Sequence, residues 1–173
     1  SEDGWGAAAA ATLAVAFSWA AISKITGWAR WRRTVGAYAL PSSAESVVAW
    51  AVPVAETLVP ALSLIGHPRA AGAVALLSIA VFTVGLVRLA LRDGPHVACG
   101  CFGRATVDVR VALARNLAIG VAAAIAWRLA PSDPVLGLPE GSDALPALLV
   151  AGAVAGAAIT SWRSAVWLGR GRA

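Results

Sequence analysis

Charged residues are scarce in this chain, and their scarcity bounds the class of protein. Lys, Arg, Asp and Glu make up 13% of the 173 residues, whereas hydrophobic residues make up 59%, and the mean hydropathy is +0.74. Soluble globular domains carry roughly a quarter charged residues, so this composition excludes a soluble domain. The basic residues are scattered among apolar runs, so the net charge of +5 indicates orientation in a lipid bilayer and no nucleic-acid partner.

Sulfur is scarcer still, because the chain has no methionine and only two cysteines, Cys99 and Cys101. Aromatic residues are also few, at 7%, but eight of them are tryptophans. Most tryptophans fall near the ends of apolar runs, where an amphipathic indole favours the lipid headgroup level. Two thiols one residue apart, in a chain without other sulfur, point to redox or soft-metal chemistry.

Uninterrupted apolar length predicts five membrane spans, at 6–26, 45–65, 70–91, 111–130 and 144–168. We therefore predict an all-α fold: a polytopic transmembrane bundle with a four-helix core, a fifth span and a short interfacial helix. The predicted domains are a four-helix membrane domain at 1–130 with a cysteine loop at 92–110, a Pro-rich linker at 131–143, and an additional transmembrane helix with a basic tail at 144–173.

The basic residues are distributed unevenly between the two ends of these spans. The connection at 27–44 mixes Trp and Arg at near-helical spacing, which predicts the interfacial helix. If all five runs span, Arg69 and Arg128 are the two basic residues that lie on the side opposite the cysteine loop. The positive-inside rule then places the cysteine loop at the cytoplasmic face.

The cysteine pair has the spacing of a reactive site. A disulfide between residues i and i+2 closes a small ring, and strain makes a disulfide easier to reduce. Gly100, between the cysteines, has the backbone freedom that such a ring requires. Basic neighbours, namely Arg92, Arg104 and His96, would lower the pKa of a thiol by favouring the thiolate. Thiol–disulfide exchange is the leading hypothesis.

Two alternatives stay open beside it. Cys99 and Cys101, with His96 as a further ligand, could bind a soft metal such as Cu(I) or Hg(II) for storage or transport. The cysteines could instead be a docking point of a membrane assembly factor. A closed structural zinc site is not indicated, since a complete ligand set is not visible in the sequence.

Four polar residues inside or beside the spans form a second group. Glu56 lies in the middle of the second span, where an ionisable group is costly and is usually paired or functional. Lys24, near the end of the first span, either pairs with Glu56 or extends to the interface. Arg115 and Asn116 open the fourth span, shortly after the cysteine loop. We predict that the four residues form a supporting polar cluster beneath the loop.

With these motifs, the stretch 14–129 resembles the MauE family, within the DoxX-like group of redox-associated membrane proteins. The resemblance rests on Ser23-Lys24, on Pro53-Val54-Ala55-Glu56, and on Cys99-Gly100-Cys101-Phe102-Gly103 followed by Arg115-Asn116. The last of these motifs is the most specific. The fifth span and the linker lie beyond the resemblance.

The resemblance implies a thiol–disulfide oxidoreductase of the bacterial cell membrane with Cys99 and Cys101 as catalytic residues. The family is associated with the maturation of methylamine dehydrogenase, so a thioredoxin-like or other thiol-bearing protein is the implied partner. A quinone is the implied electron acceptor, although no quinone-binding residues are identified. Oxidative protein maturation requires the loop outside the cytoplasm, whereas the arginines indicate the inside, and both placements stay open.

Overall fold

The computed structural model describes residues 2–97 and 107–130. These ranges contain five helices and two short strands: α1 (Glu2–Thr26), α2 (Trp28–Gly36), α3 (Ser42–Leu64), α4 (Pro68–Asp93), β1 (His96–Val97), β2 (Val107–Asp108) and α5 (Val109–Leu129). Helices α1, α3, α4 and α5 are long and apolar enough to cross a membrane. They coincide with the first four predicted spans, which confirms the all-α polytopic bundle. The fifth span, the linker at 131–143 and the tail lie outside the described residues.

The four long helices form a bundle in which α1 and α4 each pack against both α3 and α5. Small residues fill most of its centre and allow the helices to approach closely. Gly72 of α4 is such a contact, because a Cβ atom there would lie 2.6 Å from the backbone nitrogen of Trp127 in α5. The outward faces carry large apolar side chains, including Val47, Leu77 and Leu117, as expected of helices that contact lipid.

Helix α2 is the predicted amphipathic helix at the end of the bundle. Its buried face consists of Trp31, Thr34 and Val35, and its exposed face carries the three arginines Arg30, Arg32 and Arg33. The described structure thus confirms the helix. It corrects the expectation for Trp31, because this tryptophan is 6% exposed and lies in the protein core, not at the lipid headgroup level.

A proline inside α3 explains why α2 packs against this part of the bundle. Pro53, inside α3, has no N–H to donate to the carbonyl of Ala49 one turn earlier. The indole Nε1 of Trp31 donates a hydrogen bond to this carbonyl at 2.9 Å, and the bond is buried. The Ala49 carbonyl, which Pro53 leaves without a donor in α3, is therefore hydrogen-bonded by a side chain from α2.

Two short strands bracket the cysteine segment, which was predicted as a plain loop. β1 and β2 pair antiparallel, with His96 opposite Asp108 and Val97 opposite Val107. Helix α4 ends at Gly94, whose φ of 96° lies in the left-handed region that favours glycine. Strand β2 runs directly into α5, where the Asp108 carboxylate accepts a hydrogen bond from the backbone N–H of Arg110 at 2.8 Å. Residues 98–106 connect the two strands.

Candidate functional site

The centre of the site is a buried ion pair between α1 and α3. Lys24, in the last turn of α1, places Nζ 2.7 Å from Oε1 of Glu56, in the middle of α3. The side chains are 0% and 3% exposed, respectively. Lys24 therefore does not extend to the interface, which was one of the two roles that the sequence left open. Two charges at this depth are tolerated because they neutralise each other.

Two aromatic rings complete the surroundings of Lys24. The Nζ atom lies 5.1 Å from the ring centroid of Trp31 and 5.9 Å from that of Phe82. The electron-rich faces of such rings attract an ammonium group, most strongly where water is excluded. Helix α2 thus contributes directly to the site, since Trp31 both binds the Ala49 carbonyl and covers the lysine. Lys24 is enclosed by side chains of α2, α3 and α4.

A small cavity adjoins the ion pair. It has a volume of about 20 Å³ and is bordered by all four long helices. Its lining residues are Ala16, Phe17, Ala20, Glu56, Ile79, Phe82, Arg115, Asn116 and Ile119. The second carboxylate oxygen of Glu56, Oε2, is buried and has no hydrogen-bond partner among the described residues. An acceptor oxygen and two potential donors, Arg115 and Asn116, therefore border the same small space.

Asn116 also links this cavity to α4. Its Nδ2 donates a hydrogen bond to Oγ1 of Thr83 at 3.2 Å. Asn116 is 5% exposed, while Arg115 is half-buried on the same turn of α5. The structure thus brings the four polar residues of the predicted cluster together: Lys24 and Glu56 as a pair, and Glu56, Arg115 and Asn116 around the cavity. A role of this cluster in tuning the thiols stays a prediction.

The cysteines themselves, Cys99 and Cys101, lie outside the described residues, as does Arg104. The strands that flank their segment are at the same end of the bundle as Lys24, because α1 ends and α5 begins there. At 1.5 Å per residue, Arg115 lies about 9 Å along the helix axis from Val109, the first residue of α5. The polar cluster is therefore a short distance beneath the strand pair.

The basic residues expected beside the thiols have partners of their own where they are described. Arg92 lies 2.7 Å from the carboxylate of Asp93 and also donates a hydrogen bond to the carbonyl of Ala37 at 2.6 Å. This second bond joins the end of α4 to the end of α2. His96 is exposed in β1, opposite Asp108. Its roles as a thiol neighbour or a metal ligand stay predictions.

Three residues of the site were not predicted from the sequence: Trp31, Phe82 and Thr83. Trp31 lies among arginines between two apolar runs, as expected of a tryptophan that anchors a helix at the membrane interface. Phe82 and Thr83 lie in an apolar span, and no sequence pattern distinguishes them from their neighbours. The one available signal was Pro53, since a proline inside a helix leaves a carbonyl that needs a donor.

A protein-family model described as methylamine utilisation protein MauE matches residues 4–129. The chain belongs to the MauE family. The match covers all four described spans and α2, and it includes both cysteines and the four polar residues of the cluster. Neither comparison with curated proteins nor comparison with solved structures gives a match. Membership in the MauE family confirms the resemblance and indicates a multi-pass membrane protein connected with methylamine utilisation.

Proposed function

We propose that this MauE-family protein is a thiol–disulfide oxidoreductase of the bacterial cell membrane, with Cys99 and Cys101 as the exchanging pair. The observation that carries the proposal is that the Cys-Gly-Cys motif falls in the sequence between β1 and β2, and that these two strands lie at the end of the bundle that holds the Lys24–Glu56 pair. Paired thiols near basic groups are an arrangement that favours thiol exchange.

The exchange step needs no metal and no further cofactor. A thiolate of a partner dithiol attacks one sulfur of the Cys99–Cys101 disulfide, so that this S–S bond breaks and a mixed disulfide forms. The second partner thiol, after losing its proton, displaces the cysteine and leaves the partner oxidised. Two electrons and two protons have then passed from the partner to Cys99 and Cys101. A quinone dissolved in the bilayer is the class of oxidant that we propose for the return step, taking up two electrons and two protons.

The polar cluster supports this chemistry by its charge. Lys24 and Glu56 neutralise each other, and Arg115 is a further basic residue near the end of the bundle that carries the strands. A nearby positive charge favours the thiolate over the thiol and so increases the reactive fraction. We propose Arg115 and Asn116 as positioning residues for the segment that carries the cysteines.

The partner that we propose is a protein with paired thiols, of the thioredoxin-like class or the disulfide-rich substrate itself. The support for it is the family description, which connects the MauE family with methylamine utilisation. Oxidation of such a partner defines the activity to be measured.

Redox titration of the full chain in lipid nanodiscs tests the proposal. After equilibration with glutathione buffers of graded potential, we expect the two thiols to titrate as one two-electron couple, with a tenfold change in ratio per about 30 mV. Cys99→Ser and Cys101→Ser should each abolish both the couple and the oxidation of a reduced thioredoxin-like protein. Arg32→Gln, on the exposed face of α2, is the control and should leave both unchanged.

The outcomes separate the three hypotheses from the sequence. Unchanged partner oxidation in either cysteine variant would show that the cysteines are not catalytic. Stoichiometric retention of Cu(I), with no couple in glutathione, would instead identify a soft-metal carrier. Normal maturation of the partner in cells that carry the double cysteine variant would identify an assembly factor.

A further inference from the structure

The two carboxylate oxygens of Glu56 have different surroundings. Oε1 accepts the hydrogen bond from Lys24 at 2.7 Å, whereas Oε2 is buried with no hydrogen-bond partner among the described residues. An oxygen of this kind loses its hydration on burial, and the loss is unfavourable unless another donor replaces the water. Oε2 therefore requires a partner, and the cavity that Glu56 lines is the place for one.

The cavity has the size for a single water molecule. Its volume of about 20 Å³ exceeds the roughly 10–15 Å³ that one water needs. A bound water also needs two to four polar partners, and Glu56, Asn116 and Arg115 are the residues with donors or acceptors in a lining that is otherwise apolar. Water is thus the molecule that the space accepts.

The charges around Glu56 favour its ionised form, whereas its burial and the unpartnered Oε2 oppose that charge. Lys24 of α1 faces it at 2.7 Å, and Arg115 of α5 lines the shared cavity, while the cavity residues from α4 are Ile79 and Phe82. The described cavity lining contains no second carboxyl group. When Oε2 carries a proton, Oε1 still accepts the hydrogen bond from Lys24, and the rings of Trp31 and Phe82 continue to attract the ammonium group.

We propose that Glu56 is a proton-binding site inside the bundle, and that one water in the adjoining cavity delivers and removes its proton. An O–H bond forms on Oε2 as a hydronium in the cavity gives up its proton, and the reverse step returns the proton to the water. No electrons move, and neither cysteine takes part. The proposal thus goes beyond the proposed thiol chemistry and does not rest on it.

Infrared difference spectroscopy of the full chain in nanodiscs tests this site. On acidification we expect the C=O stretching band of a buried carboxylic acid, at a higher frequency than the band of the exposed carboxylic acids, with a shift to lower frequency in D₂O because the proton exchanges. The band should be absent from Glu56→Gln and displaced in Glu56→Asp. Glu45→Gln removes a half-buried carboxyl from the first turn of the same helix and should leave the band in place. The double variant C99S/C101S should also retain it, which separates this site from the proposed oxidoreductase.

A cavity-filling variant tests the role of the water without changing the ion pair. Ala20→Val adds two methyl groups to a residue that lines the cavity, and we expect it to slow deuterium exchange at Glu56 by about tenfold or more, since the remaining space falls below that of one water. Ala80→Val, on the exposed face of α4, is the matched control. A wild-type spectrum with no exchangeable carboxylic band would overturn the proposal, as would exchange in Ala20→Val at the wild-type rate.

Discussion

At the scale of single residues, the Lys24–Glu56 pair is a costly and restrictive feature of the described bundle. Taking each charge out of water costs several kcal/mol even after relaxation, and pairing at 2.7 Å offsets most of that cost. Neither residue tolerates loss of the other's side chain, because the survivor then lacks its hydrogen-bond partner inside the bundle. The sequence predicted Glu56 as a functional candidate from its depth, and Lys24, near the end of the first span, as its candidate partner. It left open whether they meet, since a lysine near a helix end can equally extend to the interface.

Removal of one partner should cost far more than removal of both. We expect Lys24→Met and Glu56→Leu each to lower the free energy of unfolding by about 3–5 kcal/mol, because each leaves an uncompensated group in the bundle. The double variant should lose much less than the sum, since similar apolar side chains then fill the space. Denaturation in mixed micelles, followed by circular dichroism, measures all three. Additive losses in the double variant would show that the pair is not coupled.

At the scale of elements, the contact between α2 and α3 depends on a missing hydrogen bond in α3 that a proline of the sequence causes. Pro53 leaves the Ala49 carbonyl without a helical donor, and Trp31 supplies the missing hydrogen bond. The same ring covers Lys24 at 5.1 Å. A short helix with three exposed arginines is thereby held against the bundle, in the position that closes the ion pair from the lipid headgroups.

The effects of substitutions at Trp31 and Pro53 on the free energy of unfolding should therefore be coupled. We expect Trp31→Phe to lower the free energy of unfolding by about 1 kcal/mol or more, because a ring remains but the N–H that satisfies a buried carbonyl is lost. In a Pro53→Ala background the same change should cost less, since the substituted residue offers its own backbone N–H to the Ala49 carbonyl. Trp5→Phe, on an exposed face, is the control. Equal costs of Trp31→Phe in both backgrounds would contradict the account.

The strand pair shows where element prediction from sequence reaches its limit. The long helices are signalled by uninterrupted apolar runs, which need no information beyond the segment itself. β1 and β2 consist of two residues each, too few to show the alternation that marks a strand. They form because α4 and α5 pack side by side and bring His96 opposite Asp108.

At the scale of the whole molecule, the bundle has two ends of different charge. The exposed arginines of α2, the C-terminal part of α4 and the start of α5 lie at the end that carries the strands, namely Arg30, Arg32, Arg33, Arg88, Arg92 and Arg110. Among the described residues the opposite end carries Arg69, bonded to the carbonyl of Ala130, and Arg128. By the positive-inside rule this asymmetry predicts that the cysteine segment faces the cytoplasm.

Thiol labelling in intact cells tests this orientation. After reduction, we expect Cys99 and Cys101 to react with a membrane-impermeant maleimide only when the cells are permeabilised. His67→Cys in a C99S/C101S background places a thiol in the exposed turn at the opposite end and should react without permeabilisation. The reverse pattern would contradict the charge rule for this chain and place the cysteines where oxidative protein maturation occurs.

Hydropathy along the sequence by itself determined the four described spans, their order and the bilayer as their surroundings, because a backbone in lipid must satisfy its own hydrogen bonds as a helix. Its depth in the second span also identified Glu56 as a costly side chain and a functional candidate. Only the tertiary structure decided that Glu56 meets Lys24 under Trp31 and shares a water-sized cavity with Arg115 and Asn116. The physical reason is that these contacts depend on helix rotation and register, which are set by the packing of small residues on other helices.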